Sequence, residues 1–263
     1  MSEVFEYFEG NLPLLISVPH DGRKLPDEQR ERMTDAGLDI ADTDWHVAEL
    51  YGFARDFGAS MIVANYSRYV IDVNRPVSDT AMYKGQIATG LCPQYTFAGE
   101  PLYRHDTVVP AEEIVGRVDR YWRPYHDKIA TTLSAMRTSY GHALLWDAHS
   151  ITSCVPRLFD GKLPVLNLGT FDDKSCDPII SRALLQIAEA APYESVLNGR
   201  FKGGYITRHY GAPEKNVHAV QLELAQRAYM SELDRAYDDE LASSLRDTLK
   251  QLLAAFVAGA AVQ

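Results

Sequence analysis

Cysteine is scarce in this sequence. Its 263 residues contain three, Cys92, Cys154 and Cys176, and no CxxC pair. This odd, widely spaced set excludes a disulfide framework and a cysteine-rich zinc site, and it is typical of reduced thiols in a cytoplasmic protein. No apolar run approaches the roughly 18 residues of a membrane-spanning helix, and the opening MSEVFEYFEG carries acids where a signal peptide carries bases. We therefore expect a cytoplasmic protein without a membrane partner.

Positive charge is also in deficit. The chain has 26 lysines and arginines against 36 aspartates and glutamates, which gives a formal net charge of −10. It contains no basic run, and this excludes a general nucleic-acid binder, because neutralising phosphates requires clustered lysine and arginine. A small anionic substrate is still compatible with this charge, since distant charges are screened over about 8–10 Å and a few well-placed arginines can outweigh them.

Short apolar runs alternate with amphipathic segments along the whole chain, and no linker separates them. That alternation predicts an α/β protein. Several runs are continuously apolar, as in strands covered on both faces. The predicted strands are residues 14–18, 60–64, 69–73, 143–146, 165–168 and 219–224. We expect one domain over residues 1–263, with three layers: a central mixed, mostly parallel sheet and helices on both faces.

Helical periodicity fills the spaces between these runs. The predicted helices are a first one from residue 47 to just before Gly58, then 111–136 with a kink at Pro124, 177–191 with Asp177 as its cap, and 231–256 with its leucines in the core. Residues 76–110 have no clear period and are rich in glycine, proline and tyrosine. Loops of this length are usually functional or mobile, so the segment is either a lid over a site or a surface excursion.

Two histidines follow buried strands. His20 comes just after LLISV, and His149 follows HALLW with Asp147 two residues before it. A lone histidine in such a place is more often structural, but two at comparable positions favour a shared metal, because ligands bind beyond the carboxyl ends of strands in α/β sheets. A third ligand is available from Asp42 or Asp44, although both also fit a helix N-cap. Asp147 is interpreted as the group that orients an imidazole.

Arginines and one glutamate complete the candidate residues. Arg68, Asn74 and Arg75 surround the run YVIDV, and Arg208 lies in GGYITRHYG. Convergent guanidinium groups suit a dicarboxylate ligand. Glu223 stands inside the apolar run HAVQLELA, where a carboxylate is costly unless it has a partner or a function. It is either a general base or an outward-facing residue of a half-exposed strand.

These residues lie in motifs that occur in the same order in one known family. The motifs are SVPHDG, DTDWHVAELY, SRYVIDVNRP, GEPLYR, RPYH, LWDAHS, GGYITRHYG and VQLELAQRAYM. Together they resemble the N-formylglutamate deformylase (N-formylglutamate amidohydrolase) family, which carries out the last step of one histidine-degradation route. The resemblance extends from about residue 11 to residue 257.

The arrangement is also distantly similar to zinc carboxypeptidases and aspartoacylase-like deacylases. That similarity implies one zinc or other divalent ion bound by His20 and His149, with Glu223 as the general base. It departs at one point: carboxypeptidases have a glutamate three residues after the first histidine, and this chain has Arg23 there. We therefore expect the carboxylate ligand to be Asp44, with Asp42 in reserve.

The resemblance implies metal-dependent hydrolysis of N-formyl-L-glutamate, a small anionic dicarboxylate, to formate and L-glutamate. Arg68 would stabilise the oxyanion or bind a carboxylate. Asn74 and Arg75 would bind the α-carboxylate, and Arg208 the side-chain carboxylate. The alternatives are another N-acyl amino-acid deacylase, a carboxypeptidase-like amidohydrolase, or a non-catalytic dicarboxylate-binding protein.

Overall fold

The computed structural model describes residues 3–79, 89–104 and 108–260. In this part of the chain seven strands form one mixed sheet, in the order β1-β3-β2-β4-β7-β5-β6. The strands are β1 Phe5–Phe8, β2 Leu14–Val18, β3 Ser60–Ala64, β4 Ala143–Ile151, β5 Leu166–Gly169, β6 Ser195–Leu197 and β7 Val217–Ala225. The β1–β3 and β5–β7 pairs are antiparallel, and the other four neighbouring pairs are parallel. The predicted mixed, mostly parallel sheet is confirmed.

Helices pack against both faces of this sheet. The helices of the described residues are α1 Asp27–Arg30, α2 Asp35–Leu38, α3 Val47–Leu50, α4 Ala54–Phe57, α5 Ala111–Arg117, α6 Arg123–Tyr140, α7 Pro178–Ala190, α8 Tyr205–Tyr210 and α9 Asp239–Ala260. A π-helical turn, Val118–Trp122, joins α5 to α6. Short 3₁₀ helices occupy Pro213–Lys215 and Gln226–Ala228. Helices on both faces of one sheet give the expected three layers.

The sheet separates two hydrophobic cores. In β2, Leu14 and Ile16 face the core that contains Phe256 of α9, whereas Leu15 faces the core that contains Ile129 of α6. Neighbouring residues of a strand point to opposite faces, so a strand covered on both sides needs apolar residues throughout. This explains the continuous run LLISV, in which every residue is buried.

One predicted strand is absent from the structure, and two observed strands were not predicted. Residues 69–73 form no strand; their backbone turns, with Val70 N donating to Ser67 O and Asp72 N donating to Leu91 O. Their apolar side chains are buried because the segment lies under residues 89–104 and the helices, and periodicity cannot separate this from strand burial. The short edge strands β1 and β6 were missed.

The helix predictions differ mainly at their ends. The helix predicted from residue 47 to just before Gly58 is split into α3 and α4, and Gly58, with φ of +96°, ends α4 as expected. The π-helical turn, rather than Pro124, interrupts the helix predicted over residues 111–136. Asp177 caps α7 as expected, because its Oδ1 accepts from Ile179 N at 2.7 Å. The last helix begins at Asp239, so Leu241 lies in its exposed first turn rather than in the core.

Residues 80–88 and 105–107 of the proposed lid segment lie outside the described residues, and closure over a site stays an expectation. Within the described ranges, we find no helix with the length and hydropathy that crossing a membrane requires.

Two leucines of α9 provide a matched test of this packing. Leu249 is fully buried, whereas Leu241 is 44% exposed. Leu249→Ala should lower the free energy of unfolding by about 2–5 kcal/mol, because it removes buried contacts and leaves a cavity. Leu241→Ala should lower it by less than about 1 kcal/mol. Denaturant unfolding measures both, and equal losses would contradict the placement of α9.

Candidate active site

The candidate site lies at the carboxyl ends of three adjacent parallel strands. His20 follows β2, His149 stands near the end of β4, and Glu223 stands near the end of β7. Residues His149 and Glu223 are direct register partners on the paired strands. Because parallel strands end at the same edge of the sheet, residues far apart in sequence meet there.

The two histidines and one aspartate converge on a common point. His20 Nδ1 lies 3.2 Å from His149 Nδ1, which lies 3.0 Å from Asp44 Oδ2. The remaining distance, from His20 Nδ1 to Asp44 Oδ2, is 3.6 Å. Ligand atoms around a tetrahedral zinc ion, at roughly 2.0–2.1 Å from it, lie about 3.3–3.4 Å apart. All three side chains are buried, and their donor atoms fit a single divalent ion.

Carboxylates on the far side of each imidazole set its protonation. His20 Nε2 lies 2.6 Å from Asp72 Oδ1, and His149 Nε2 lies 3.1 Å from Asp147 Oδ2. Carboxylates only accept hydrogen bonds, so each Nε2 donates its proton to its carboxylate. This leaves each Nδ1 as the nitrogen that could bind a cation at the common point. Asp147 therefore lies where the sequence interpretation placed it. Asp72 was missed, although a carboxylate inside the apolar run YVIDV was a signal of the same kind as Glu223.

Asp44, rather than Asp42, belongs to this group. Arg68 donates to Asp44 Oδ1, and Ser150 N donates to its Oδ2 at 3.1 Å. Burial alone would raise the pKa of Asp44, but the charges of Arg68 and His20 hold that pKa well below its usual range. Its side chain does not cap α3, which has no side-chain cap. Asp42 instead accepts from Phe97 N at 2.7 Å.

Two carboxylates, those of Asp147 and Asp44, flank the buried imidazole of His149. Burial alone would lower the pKa of His149, but Asp147 and Asp44 raise that pKa well above its usual value. A cation at the Nδ1 position would take the place of the proton that these carboxylates favour.

Glu223 is buried beside the group formed by His20, Asp44 and His149, and 7% of its surface is exposed. Gln221 Nε2 donates to Glu223 Oε2 at 3.1 Å, and both side chains line the same cavity. The outward-facing alternative is therefore wrong. Burial raises the pKa of Glu223 to about 7, although the neighbouring His149 opposes the rise. A carboxyl group with this pKa can both accept and donate a proton near neutral pH.

One cavity connects these groups to three arginines. It contains about 700 Å³ of empty space, part of it open to solvent, and Arg68, Arg75 and Arg200 all line it. Arg208 is not among its lining residues in the described part of the chain. The Arg208 Nε donates to Gly203 O, and its guanidinium lies 4.4 Å from the ring centre of Phe171. Sequence reasoning missed Arg200 because the loop around it carries no pattern.

Asn74 and Arg75 are held firmly at the wall of the cavity. Asn74 Oδ1 accepts from Ile206 N at 2.8 Å, and Asn74 Nδ2 donates to Asp147 Oδ2 at 3.4 Å. Arg75 Nη2 donates to Thr89 Oγ1 at 3.3 Å, and its Nε lies 3.7 Å from Asp72 Oδ2. The structure thus brings together all the predicted site residues except Arg208, in an arrangement suited to hydrolysis of a small anionic amide.

Comparisons with known proteins find relatives that match nearly the whole chain. The chain is 51% identical over 260 residues to N-formylglutamate deformylase of Pseudomonas putida, covering 98% of this chain and 97% of that protein. It is 48% identical over 260 residues to N-formylglutamate deformylase of Pseudomonas aeruginosa, with the same coverage.

Solved structures share the fold. The crystal structure of N-formylglutamate amidohydrolase from Ralstonia eutropha superposes with a TM-score of 0.81 at 24% identity, covering 95% of this chain and 96% of that one. A gene product of Agrobacterium tumefaciens gives a TM-score of 0.72 at 18% identity, with 96% of each chain covered. A sequence model described as N-formylglutamate amidohydrolase matches residues 12–230. The chain therefore belongs to the N-formylglutamate amidohydrolase family.

Proposed function

We propose that this protein hydrolyses N-formyl-L-glutamate to formate and L-glutamate, as the last step of a histidine-degradation route. The observation that supports this most strongly is that His20 and His149, which converge with Asp44, line one cavity together with the buried Glu223 and three arginines. The names of the two Pseudomonas relatives state the same activity.

We assign one divalent ion, Zn²⁺, to the group formed by His20, Asp44 and His149. Two imidazole nitrogens and one carboxylate oxygen are ligands that zinc accepts, and three protein ligands leave a coordination position open for chemistry. Such an ion would polarise the formyl oxygen and make a water molecule more acidic. The donors His20 Nε2 and His149 Nε2 hold the rings in place through Asp72 and Asp147.

Glu223 is proposed as the general base and then the general acid. It takes a proton from water as the oxygen attacks the formyl carbon, and it gives that proton to the amide nitrogen as the C–N bond breaks. Formate and the free amino group of L-glutamate are the products. The raised pKa of about 7 suits a group that performs both transfers near neutral pH.

Arg68 is proposed to stabilise the negative charge that develops on the formyl oxygen. It lines the cavity, and it donates to Asp44 Oδ1, which places its guanidinium beside the proposed metal ligand. A fixed cation at this position offers its charge without having to reorganise during the reaction.

The two substrate carboxylates are assigned to the arginines of the cavity wall. Asn74 and Arg75 are proposed to bind the α-carboxylate, because their side chains lie next to His149 and the predicted metal position. Arg200 is proposed to bind the side-chain carboxylate in place of Arg208, because Arg200 lines the cavity. Guanidinium groups bind carboxylates through paired N–H donors.

Two expectations about the whole chain also stay proposals. All described strands share one sheet, which supports a single domain over residues 1–263. The three cysteines are free thiols, and this supports a reducing compartment such as the cytoplasm.

Replacing the proposed base tests the reaction directly. Wild-type protein should release formate from N-formyl-L-glutamate, and Glu223→Gln should lower kcat by about 10²–10⁴-fold, because the amide cannot take the proton from water. The metal content should be unchanged, since Glu223 is not a ligand. Formate assays with metal analysis measure both. Absence of formate release by the wild type would overturn the function, and full activity of the variant would overturn the role of Glu223.

A pair of arginine variants tests the assignment of the side-chain carboxylate. The substrates are N-formyl-L-glutamate and N-formyl-L-glutamine, which have the same shape but differ in side-chain charge. Arg200→Gln should reduce the wild-type preference for the glutamate substrate, as a kcat/KM ratio, by about 10–100-fold, because a charged hydrogen bond is lost. The matched variant Arg208→Gln should keep the preference. The reverse result would favour Arg208.

A further inference from the structure

The π-helical turn Val118–Trp122 interrupts one long helical segment next to the cavity. Such turns are rare and frequently occur at functional sites. Trp122 is the last residue of this turn, and it lies four residues before His126 of α6, a spacing that places two side chains on the same helix face. Their rings stack with centres 3.7 Å apart and planes inclined by 21°. The function proposed above uses neither residue, although His126 belongs to the motif RPYH.

Both side chains bond to the backbone that carries Asn74 and Arg75. His126 Nε2 lies 2.7 Å from Val73 O, and Trp122 Nε1 donates to Arg75 O at 2.9 Å. The carbonyl between them, Asn74 O, accepts from the backbone N of Tyr205 at 3.4 Å. Three consecutive carbonyls of this loop therefore have a donor from another element.

The imidazole is fixed in one tautomer. A carbonyl only accepts hydrogen bonds, so the proton of His126 is on Nε2. Nδ1 lies 2.9 Å from the hydroxyl of Tyr210, which also donates to His126 O at 3.0 Å. Burial lowers the pKa of His126 to about 4, so the ring stays neutral at neutral pH. Both of its nitrogens are thus occupied by structural partners.

We propose that Trp122 and His126 are positioning residues, which hold the backbone of residues 73–75 so that the side chains of Asn74 and Arg75 meet the substrate α-carboxylate. This inference rests on the proposed function, because it takes the ligand of Asn74 and Arg75 to be a carboxylate. Neither residue touches the substrate. A small displacement of a binding group lowers catalysis strongly, so the two bonds act on substrate recognition through the loop.

A packing role and a positioning role of Trp122 and His126 predict different effects on the preference of the enzyme for one substrate over another. A packing role would lower the stability of the protein and its activity towards all substrates by the same factor. A positioning role would lower recognition of the α-carboxylate in particular. N-formyl-L-glutamate and its α-amide, N-formyl-L-isoglutamine, separate the two, because they differ only at that group.

Trp122→Phe is the main test, because it keeps an aromatic ring over His126 and removes the N–H bonded to Arg75 O. We expect KM for N-formyl-L-glutamate to rise about tenfold, corresponding to the loss of one hydrogen bond, with a smaller change in kcat. Values for the α-amide should change little. The matched control is Trp146→Phe, which removes an indole bond of 2.9 Å to Tyr51 Oη in the core on the opposite face of the sheet. It should lower the melting temperature and leave KM unchanged.

Two variants of His126 provide a second test, which still applies if Trp122→Phe folds poorly. His126→Gln keeps an N–H donor for Val73 O, and His126→Leu does not. The glutamine variant should retain more of the preference for the α-carboxylate than the leucine variant. Equal losses for both substrates in Trp122→Phe, or equal effects of the two His126 variants, would overturn the positioning role.

A separate outcome identifies failure of the proposed function. Wild-type protein that releases no formate would overturn that function. Calorimetric binding of L-glutamate, which requires no turnover, then tests positioning alone. Weaker binding by Trp122→Phe than by Trp146→Phe would support the inference, and equal binding would overturn it.

Discussion

Two imidazole nitrogens and one carboxylate oxygen, all buried, point their lone pairs at the same small volume. His20 Nδ1, His149 Nδ1 and Asp44 Oδ2 are 3.0–3.6 Å apart. Acceptors held this close in a buried site repel one another unless a positive charge lies between them. The two imidazoles come together because β2 and β4 are parallel neighbours that end at the same edge of the sheet. The position of every other site residue follows from this edge.

The environment gives the buried carboxylates of the site different properties. Asp44 and Asp72 each lie beside an imidazole and an arginine, and these charges keep the pKa of each well below its usual range despite burial. Glu223 is bonded to the neutral amide of Gln221, and burial raises its pKa to about 7. Carboxylates whose pKa values are pushed apart take different roles, so the first two suit cation binding and the third suits proton transfer.

Much of the site was predictable from the sequence, because its residues either follow an apolar run or place a charged side chain inside one. His20 and His149 follow apolar runs, and Glu223 is a carboxylate within one, so their local patterns already suggested a site. Asp44 was expected as the ligand with Asp42 in reserve. The local pattern gives no firm ground for that choice, because both residues precede a helix and only the tertiary contacts with Phe97 and Arg68 distinguish them.

Other features have no local signal. Arg200 lies in an irregular loop, and only the return of that loop to the sheet edge brings it into the cavity. Residues 69–73 have the apolar composition of a strand but are buried in turns. The π-helical turn changes the hydrogen-bond pattern without changing the helical periodicity enough to be read from the sequence. These features depend on contacts between segments distant in sequence.

We propose that the converging group formed by His20, Asp44 and His149 binds one catalytic divalent ion. The decisive measurement is metal analysis of purified protein. Formate release is measured before chelation, after chelation and after adding back Zn²⁺, and His149→Ala is treated in parallel. We expect one ion per wild-type chain, with activity lost on chelation and recovered with zinc. We expect His149→Ala to have neither a bound ion nor activity. Undiminished formate release from metal-free wild-type protein would contradict it.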